Sequence, residues 1–279
     1  MPHSQIERLF DEPPAEFTPA HFELFQRFKD ALNRGEIRSA EPDPAAKTGW
    51  RAVPWVKKGI LLGFRMGAVI AMSPDSGQLR FIDKSTYPTH AISVQDGVRI
   101  VPGGSSIRDG SYIGRGVICM PPMFINVGAY VGENTMIDSH ALIGSCAQIG
   151  RNCHISAGSQ IGGVLEPVGA LPVVVEDDVL VGGNCGVYEG TVIKRRAVLG
   201  TGTILNRSIP VYDLVRDVIH VASDDEPLII PEEAVVVAGS RALTQSPGNK
   251  WGLSLQCAII VKYRDRQTDT RVQLEDILR

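Results

Sequence analysis

The chain has 279 residues and a formal net charge of -3. That length suits two domains or one elongated domain, and the weak acidity argues against a nucleic-acid surface as the main function. No basic-then-apolar leader opens the sequence. The most apolar run, residues 59–72, contains Arg65 and follows Lys57 and Lys58, so it is too short and too charged to span a bilayer. Five cysteines, Cys119, Cys146, Cys153, Cys185 and Cys257, have no CxxC spacing and read as small core or turn residues in a reducing compartment. A cytoplasmic protein is expected, with no membrane or nucleic-acid partner.

In chain order, residues 5–10 suit a short amphipathic helix that stops near Pro13 and Pro14. A longer helix follows, with Thr18 as N-cap, Pro19 at its first position and Gly35 as its stop. Phe22, Phe25, Phe28 and Leu32 recur at three and four and are assigned to its core face. Residues 41–49 are polar and Pro-rich, hence a loop. Residues 53–72 read as apolar β-type runs, and 81–84 and 86–90 as strand ends and loops.

From Val101 the period changes to six. Val101, Ile107, Ile113, Cys119, Ile125, Val131, Ile137, Ile143, Ile149, Ile155 and Ile161 form one series. It resumes, shifted by two, at Val175, Val181, Val187, Ile193, Leu199, Leu205 and Val211. Six fits neither a helix nor an alternating strand. It fits a parallel β-helix, in which each hexapeptide supplies one short strand and one turn, and the β-branched residue points inward. Three hexapeptides per turn give roughly six turns, stabilised by their neighbours. The reading is mainly β: an N-terminal α/β domain over 1–98, the β-helix over 99–215 with an inserted loop at 162–174, and a small C-terminal cap over 216–279. A cap is required because an open β-helix end exposes unpaired backbone. Within it, 216–231 reads as an irregular linker, 234–238 and 257–263 as strands, and 272–278 as a short terminal helix.

The inward faces are apolar, so polar chemistry belongs on outer faces and loops. His140 and His154 are the only histidines in the repeat, and two do not make a three-histidine metal site. No metal is expected.

Four strings carry a specific resemblance: Gly128-Ala129-Tyr130-Val131, Thr135-Met136-Ile137-Asp138, Ile143-Gly144-Ser145-Cys146-Ala147-Gln148-Ile149-Gly150 and Ile161-Gly162-Gly163-Val164-Leu165-Glu166-Pro167. Residues 55–65, 235–239 and 255–262 extend it over nearly the whole chain. The sequence resembles tetrahydrodipicolinate N-succinyltransferases, hexapeptide-repeat acyltransferases of lysine and diaminopimelate synthesis. The resemblance implies a left-handed coil, opposite to the usual crossover rule, and a homotrimer with clefts between neighbours. It implies an acyl-CoA cosubstrate, succinyl-CoA by default, no permanently bound cofactor, and a cyclic imine dicarboxylate or its open amino form as acceptor. The family's catalytic aspartate falls on Asp138, a base for the attacking amine; its bland alternative is a turn residue bonded to its own backbone. The acceptor-binding arginine falls on Arg99, whose fork suits a carboxylate; its alternative is a solvated cap of the coil. Gly200, Gly202, Ala238 and Lys262 are the positions assigned to CoA. Glu166, on the inserted loop, is placed with the acceptor site.

The sequence also departs from the family. Asn184 stands for an arginine, Gly186 for a second active-site carboxylate, and His140 for a tryptophan. Glu189, three residues beyond Gly186, should project from another part of the coil. These changes cluster at the expected acceptor and acyl pocket. They suggest a specialised paralogue, resembling the tabtoxin-biosynthesis acyltransferase and using acetyl-CoA, with a non-catalytic hexapeptide scaffold as the alternative of another class.

Overall fold

A computed structural model describes residues 3–72 and 81–265. Helix α1 is His3–Asp11 and α2 is Pro19–Asn33, with Thr18 extended before it and Gly35 left-handed (φ 68°) after it. Phe25, Phe28 and Leu32 are buried, whereas Phe22 is 40% exposed, which corrects its assignment to the core. At 3.6 residues per turn Phe22 lies about 120° from Phe28, outside the buried stripe.

Residues 53–72 depart from the β-type expectation, because Pro54–Met66 is a helix, α3. Pro54 occupies its first turn, where its missing N–H costs nothing. Gly59 and Gly63 let α3 approach α2 closely: a side chain at Gly59 would run into the Phe28 ring, and one at Gly63 into Phe25 and Tyr87. Val56, Ile60, Leu62 and Met66 complete the buried surface. Two hairpins, Ala40–Pro42 with Trp50–Ala52 and Val69–Ala71 with Ile82–Lys84, flank the helices.

The remainder is the left-handed parallel β-helix expected of hexapeptide repeats. Its two-residue strands stack into three faces. The first face runs from Tyr112–Ile113 through Tyr130–Val131, Gln148–Ile149, Val174–Val175 and Val192–Ile193 to Ile229–Ile230. The second runs from Arg99–Ile100 through Ile118–Cys119, Met136–Ile137, His154–Ile155 and Leu180–Val181 to Val198–Leu199, and on into Ala234–Ala242. The third runs from Ser106–Ile107 through Phe124–Ile125, Leu142–Ile143, Gln160–Ile161 and Gly186–Val187 to Ile204–Leu205. From Cys119 to Leu205 the second residue of each two-residue strand points inward and is buried; at the open end Ile100, 41% exposed, and not the expected Val101, is in register with Cys119. All five cysteines are free and buried.

The N-terminal region docks on the first face. Arg38 Nε and Ser39 Oγ both bond the Gln148 side chain, at 2.8 and 2.9 Å. The inserted loop leaves at the edge between the third and first faces. Fully buried Lys57 of α3 holds it by donating to the Ala170 carbonyl at 2.6 Å; burial pushes that ammonium's pKa down.

Residues 216–231 are more ordered than the expected linker. Val218–His220 forms a hairpin with Val211–Asp213, and Ile229–Ile230 rejoins the first face over Val192–Ile193. Inward Ile230 and Val236 restore the six-residue step over Ile193 and Leu199. Ala234–Ala242 and Ser254–Tyr263 then pair as the long hairpin that covers this end. The expected terminal helix at 272–278 lies outside the described residues. Among the described residues no helix is long and apolar enough to cross a membrane.

Candidate functional site at one edge of the coil

The edge between the second and third faces is built from four-residue corners, 138–141, 156–159, 182–185 and 200–203. The third residue of each is left-handed: His140 (φ 62°), Gly158 (71°), Asn184 (56°) and Gly202 (76°). Amides link the corners in a column. His140 donates to Pro122 at 2.5 Å, Gly158 to Ser139 at 2.8 Å, Asn184 to Ala157 at 2.9 Å and Gly202 to Gly183 at 2.9 Å. The fold thus brings Asp138, His140, Asn184, Gly200 and Gly202, far apart in sequence, onto one edge. Asparagine and histidine are both among the residue types enriched in this backbone region. Asn184 Oδ1 lies over Gly158, where a side chain would collide with it. Asn184 and His140 are both exposed on this edge.

Asp138 is half-buried. Its Oδ1 accepts the Ser139 amide at 2.7 Å, and its Oδ2 lies 3.8 Å from His154 Nε2 on the next coil. One oxygen thus fulfils the bland role of a turn aspartate, and the other faces an imidazole. His154 occupies the outward position directly above Met136. Sequence reasoning weighed it only as a metal ligand. The usable signal was its place immediately before inward Ile155, one coil beyond Met136 and two residues short of the Asp138 column.

Arg99 is exposed on the outward row of the same face, below Ile118 and Met136. At about 4.8 Å per strand its backbone stands two coils, about 10 Å, from Met136. Ala238 lies just past the corner above Gly200, whose amide bonds the Val236 carbonyl at 2.7 Å. Lys262 does not join them. It pairs in register with Val235, about 10 Å along the strand, and its Nζ meets Asp265 at 3.0 Å.

Gly186 is buried at an outward position between Gln160 and Ile204. A Cβ there would sit 2.5 Å from Tyr188 Cε2 and 2.9 Å from Ile204 Cδ1. Tyr188 also reaches Gly162, whose added Cβ would lie 2.8 Å from its Cδ1. The tyrosine ring therefore lies over the place where the resemblance implies a carboxylate. Glu189 turns to the opposite edge of the third face, where it accepts the Arg207 amide at 2.8 Å. Restoring the acid by Gly186→Glu is expected to destabilise the fold by about 1–3 kcal/mol through overpacking. Adding Tyr188→Ala should relieve most of that loss, and denaturation of both variants measures the coupling. Additive losses would mean that the ring is not the obstacle.

Glu166 sits on the inserted loop and lines a cavity of about 1000 Å³ with Trp50, Tyr188, Glu189 and Arg207. Asp138 does not line that cavity, so the structure separates Glu166 from the aspartate edge within one chain.

Comparison with known proteins bears on this arrangement. A model described as tetrahydrodipicolinate N-succinyltransferase N-terminal matches residues 3–66. A bacterial transferase hexapeptide model of six repeats matches 128–163, and a hexapeptide repeat of succinyl-transferase matches 172–207. A 2,3,4,5-tetrahydropyridine-2,6-dicarboxylate N-succinyltransferase from Afipia carboxidovorans is 37% identical over 254 residues, covering 90% of this chain and 87% of the relative. Proteins of the same name from Xylella fastidiosa and Polynucleobacter asymbioticus are 38% and 40% identical, covering 91% and 90% of this chain and 87% and 86% of theirs. A solved hexapeptide-repeat acetyltransferase from Vibrio cholerae, complexed with acetyl-CoA, is 19% identical with a TM-score of 0.33 over 54% of this chain and 72% of that one. The near-full-length matches, together with the N-terminal model, show that the chain belongs to the tetrahydrodipicolinate N-succinyltransferase family.

Proposed function

We propose that this chain is an acyl-CoA-dependent N-acyltransferase whose acceptor is tetrahydrodipicolinate or a close analogue. The observation that carries the mechanism is the Asp138 carboxylate, one oxygen held by Ser139 and the other turned to His154 on an open edge of the coil. Addition of water to the cyclic imine gives its open amino form; that amine attacks the thioester carbonyl, and Asp138 takes the N–H proton as the C–N bond forms. The C–S bond then breaks, CoA leaves as a thiolate that is protonated to the thiol, and an amide remains. His154 positions the carboxylate, as a third group orients a base elsewhere. Arg99 holds an acceptor carboxylate through its fork. CoA follows the Gly200, Gly202 and Ala238 edge, with Lys262 near its charged end.

Arg99 and Asp138 stand apart within one chain, and Glu166 lies on another edge. The site is therefore completed between subunits of a homotrimer, where His140, Asn184 and Gly186 line the acyl and acceptor pocket. The buried, free cysteines suit the reducing cytoplasm.

Succinyl-CoA is the default donor. Tyr188 over Gly186 favours a second reading, in which a filled notch and a missing acid select a shorter acyl group such as acetyl, in a tabtoxin-like branch. CoA release with tetrahydrodipicolinate separates these, with succinyl-CoA and acetyl-CoA compared side by side. Acceptor-dependent release is expected. A succinyl preference supports the lysine and diaminopimelate role, and an acetyl preference supports the specialised one. No acceptor-dependent release from either donor leaves a non-catalytic scaffold.

A further inference from the structure

A second cleft, of about 570 Å³, opens at the edge between the first and second faces, away from the Asp138 edge. Its wall is a stack of planar groups. Tyr112 and Tyr130 are outward neighbours on adjacent coils, with ring centroids 4.5 Å apart and planes within 26°. The Arg38 guanidinium carbon lies 3.6 Å from the Tyr130 ring centroid and 5.3 Å from that of Trp50. The N-terminal segment therefore lays a cation between aromatic faces on the outside of the coil.

Arg38 differs from the other cations on this cleft. Lys194 meets Glu176 at 2.8 Å, Arg151 meets Asp177 at 3.4 Å, and Arg195 meets Glu232 at 2.7 Å. Arg38 donates through Nε to the neutral Gln148 side chain at 2.8 Å, and among the described residues no carboxylate lies within ion-pair distance of it. Burial pushes its pKa below the usual arginine value, partly opposed by the Asp177 and Glu41 carboxylates, which act on it from beyond ion-pair distance. A partly buried guanidinium with no direct ion pair carries a desolvation cost, and an oxyanion brought to it offsets that cost. Its planar fork matches a carboxylate or phosphate through paired hydrogen bonds, and the flanking rings accept a second planar group. The cleft volume falls in the range of small-molecule sites.

We propose that this cleft binds a small organic anion, a planar ring bearing a carboxylate or a phosphate, with the oxyanion on Arg38 and the ring against the Trp50 and Tyr112 wall. The site is separate from the acyl-transfer edge, and the proposal stands whether or not that edge is active. A simple clamp, with Arg38 fastening the N-terminal segment to the coil, would need no ligand.

The full chain is titrated with benzoate, adenosine monophosphate and inorganic phosphate, using tryptophan fluorescence and calorimetry. Benzoate and adenosine monophosphate distinguish the carboxylate from the phosphate source, and inorganic phosphate tests the need for a ring. Saturable binding of a ring-bearing anion is expected, at least about tenfold tighter than inorganic phosphate. Arg38→Gln should weaken it about tenfold or more, as befits a lost charge-assisted pair. Should that variant not fold, 4-bromobenzoate in crystals of the unaltered protein locates the site by its bromine signal. No saturable binding up to about 10 mM, unchanged binding in a folded Arg38→Gln protein, or bromine only elsewhere would each overturn the proposal.

Discussion

Asp138→Asn is expected to lower kcat by about 10²- to 10⁴-fold, the range that general-base assistance supplies. The amide keeps the size and shape of the carboxylate, and its oxygen still accepts the Ser139 amide that fixes Asp138 Oδ1. The corner of the coil is therefore retained, and the denaturation midpoint should stay near that of the unaltered chain. What disappears is the basic oxygen facing His154. Acyl-CoA affinity should change little, because the positions proposed for CoA, Gly200, Gly202 and Ala238, are untouched. His154→Gln should lower kcat about tenfold with the KM for acyl-CoA unchanged, the pattern of a misdirected base. Thiol release under saturating donor and acceptor measures both. If Asp138→Asn retains full turnover, Asp138 has no part in proton transfer, and the aspartate is only the turn residue that its Oδ1 contact describes.

Ile149→Ala is expected to destabilise the chain by about 2–5 kcal/mol. Ile149 is fully buried and in register with Val131 below and Val175 above. The interior of the coil is a narrow column, and the stacked backbone above and below cannot collapse into a lost side chain. Gly132 and Gly150 show how tight the stack is: a Cβ at Gly132 would lie 2.6 Å from the carbonyl carbon of Gly150. The same truncation at half-buried, outward-facing Leu142 should cost clearly less, because water replaces part of what is lost. Urea denaturation of both variants compares them. Equal losses would mean that the column is not the main source of stability.

The six-residue period was legible because every inward position carries one repeated demand, a β-branched or small apolar group in a confined column. That demand is local and recurs, so Ile143, Ile155 and Val181 announce themselves without knowledge of their neighbours. The family strings were legible through resemblance to relatives, and the structure sets Asp138, His140, Asn184, Gly200 and Gly202 along one edge. Helix α3 was not legible, because residues 53–66 are apolar on more than one side. Only the aromatic partners of Gly59 and Gly63 show that a helix must approach there. Ile229 and Ile230 were missed for another reason. They rejoin the first face after the hairpin of Val211–Asp213 and Val218–His220, so the sequence step no longer equals the spatial step.

The sequence by itself determined the coil, its approximate number of turns, the place where a loop is expelled, and the family. Each follows from periodic burial or from strings of residues read in order. Tertiary structure alone decided which outward side chains meet. Asp138 faces His154 because one turn of coil sets residues eighteen apart side by side, so His154 lies beside Met136, two residues before Asp138. Tyr188 covers Gly186 because two glycines on adjacent coils leave room for its ring. Arg38 stacks on Tyr130 because the N-terminal segment docks on the first face. Outward positions face no common packing demand, so their identities carry no period, and their pairings appear only when the coil is wound.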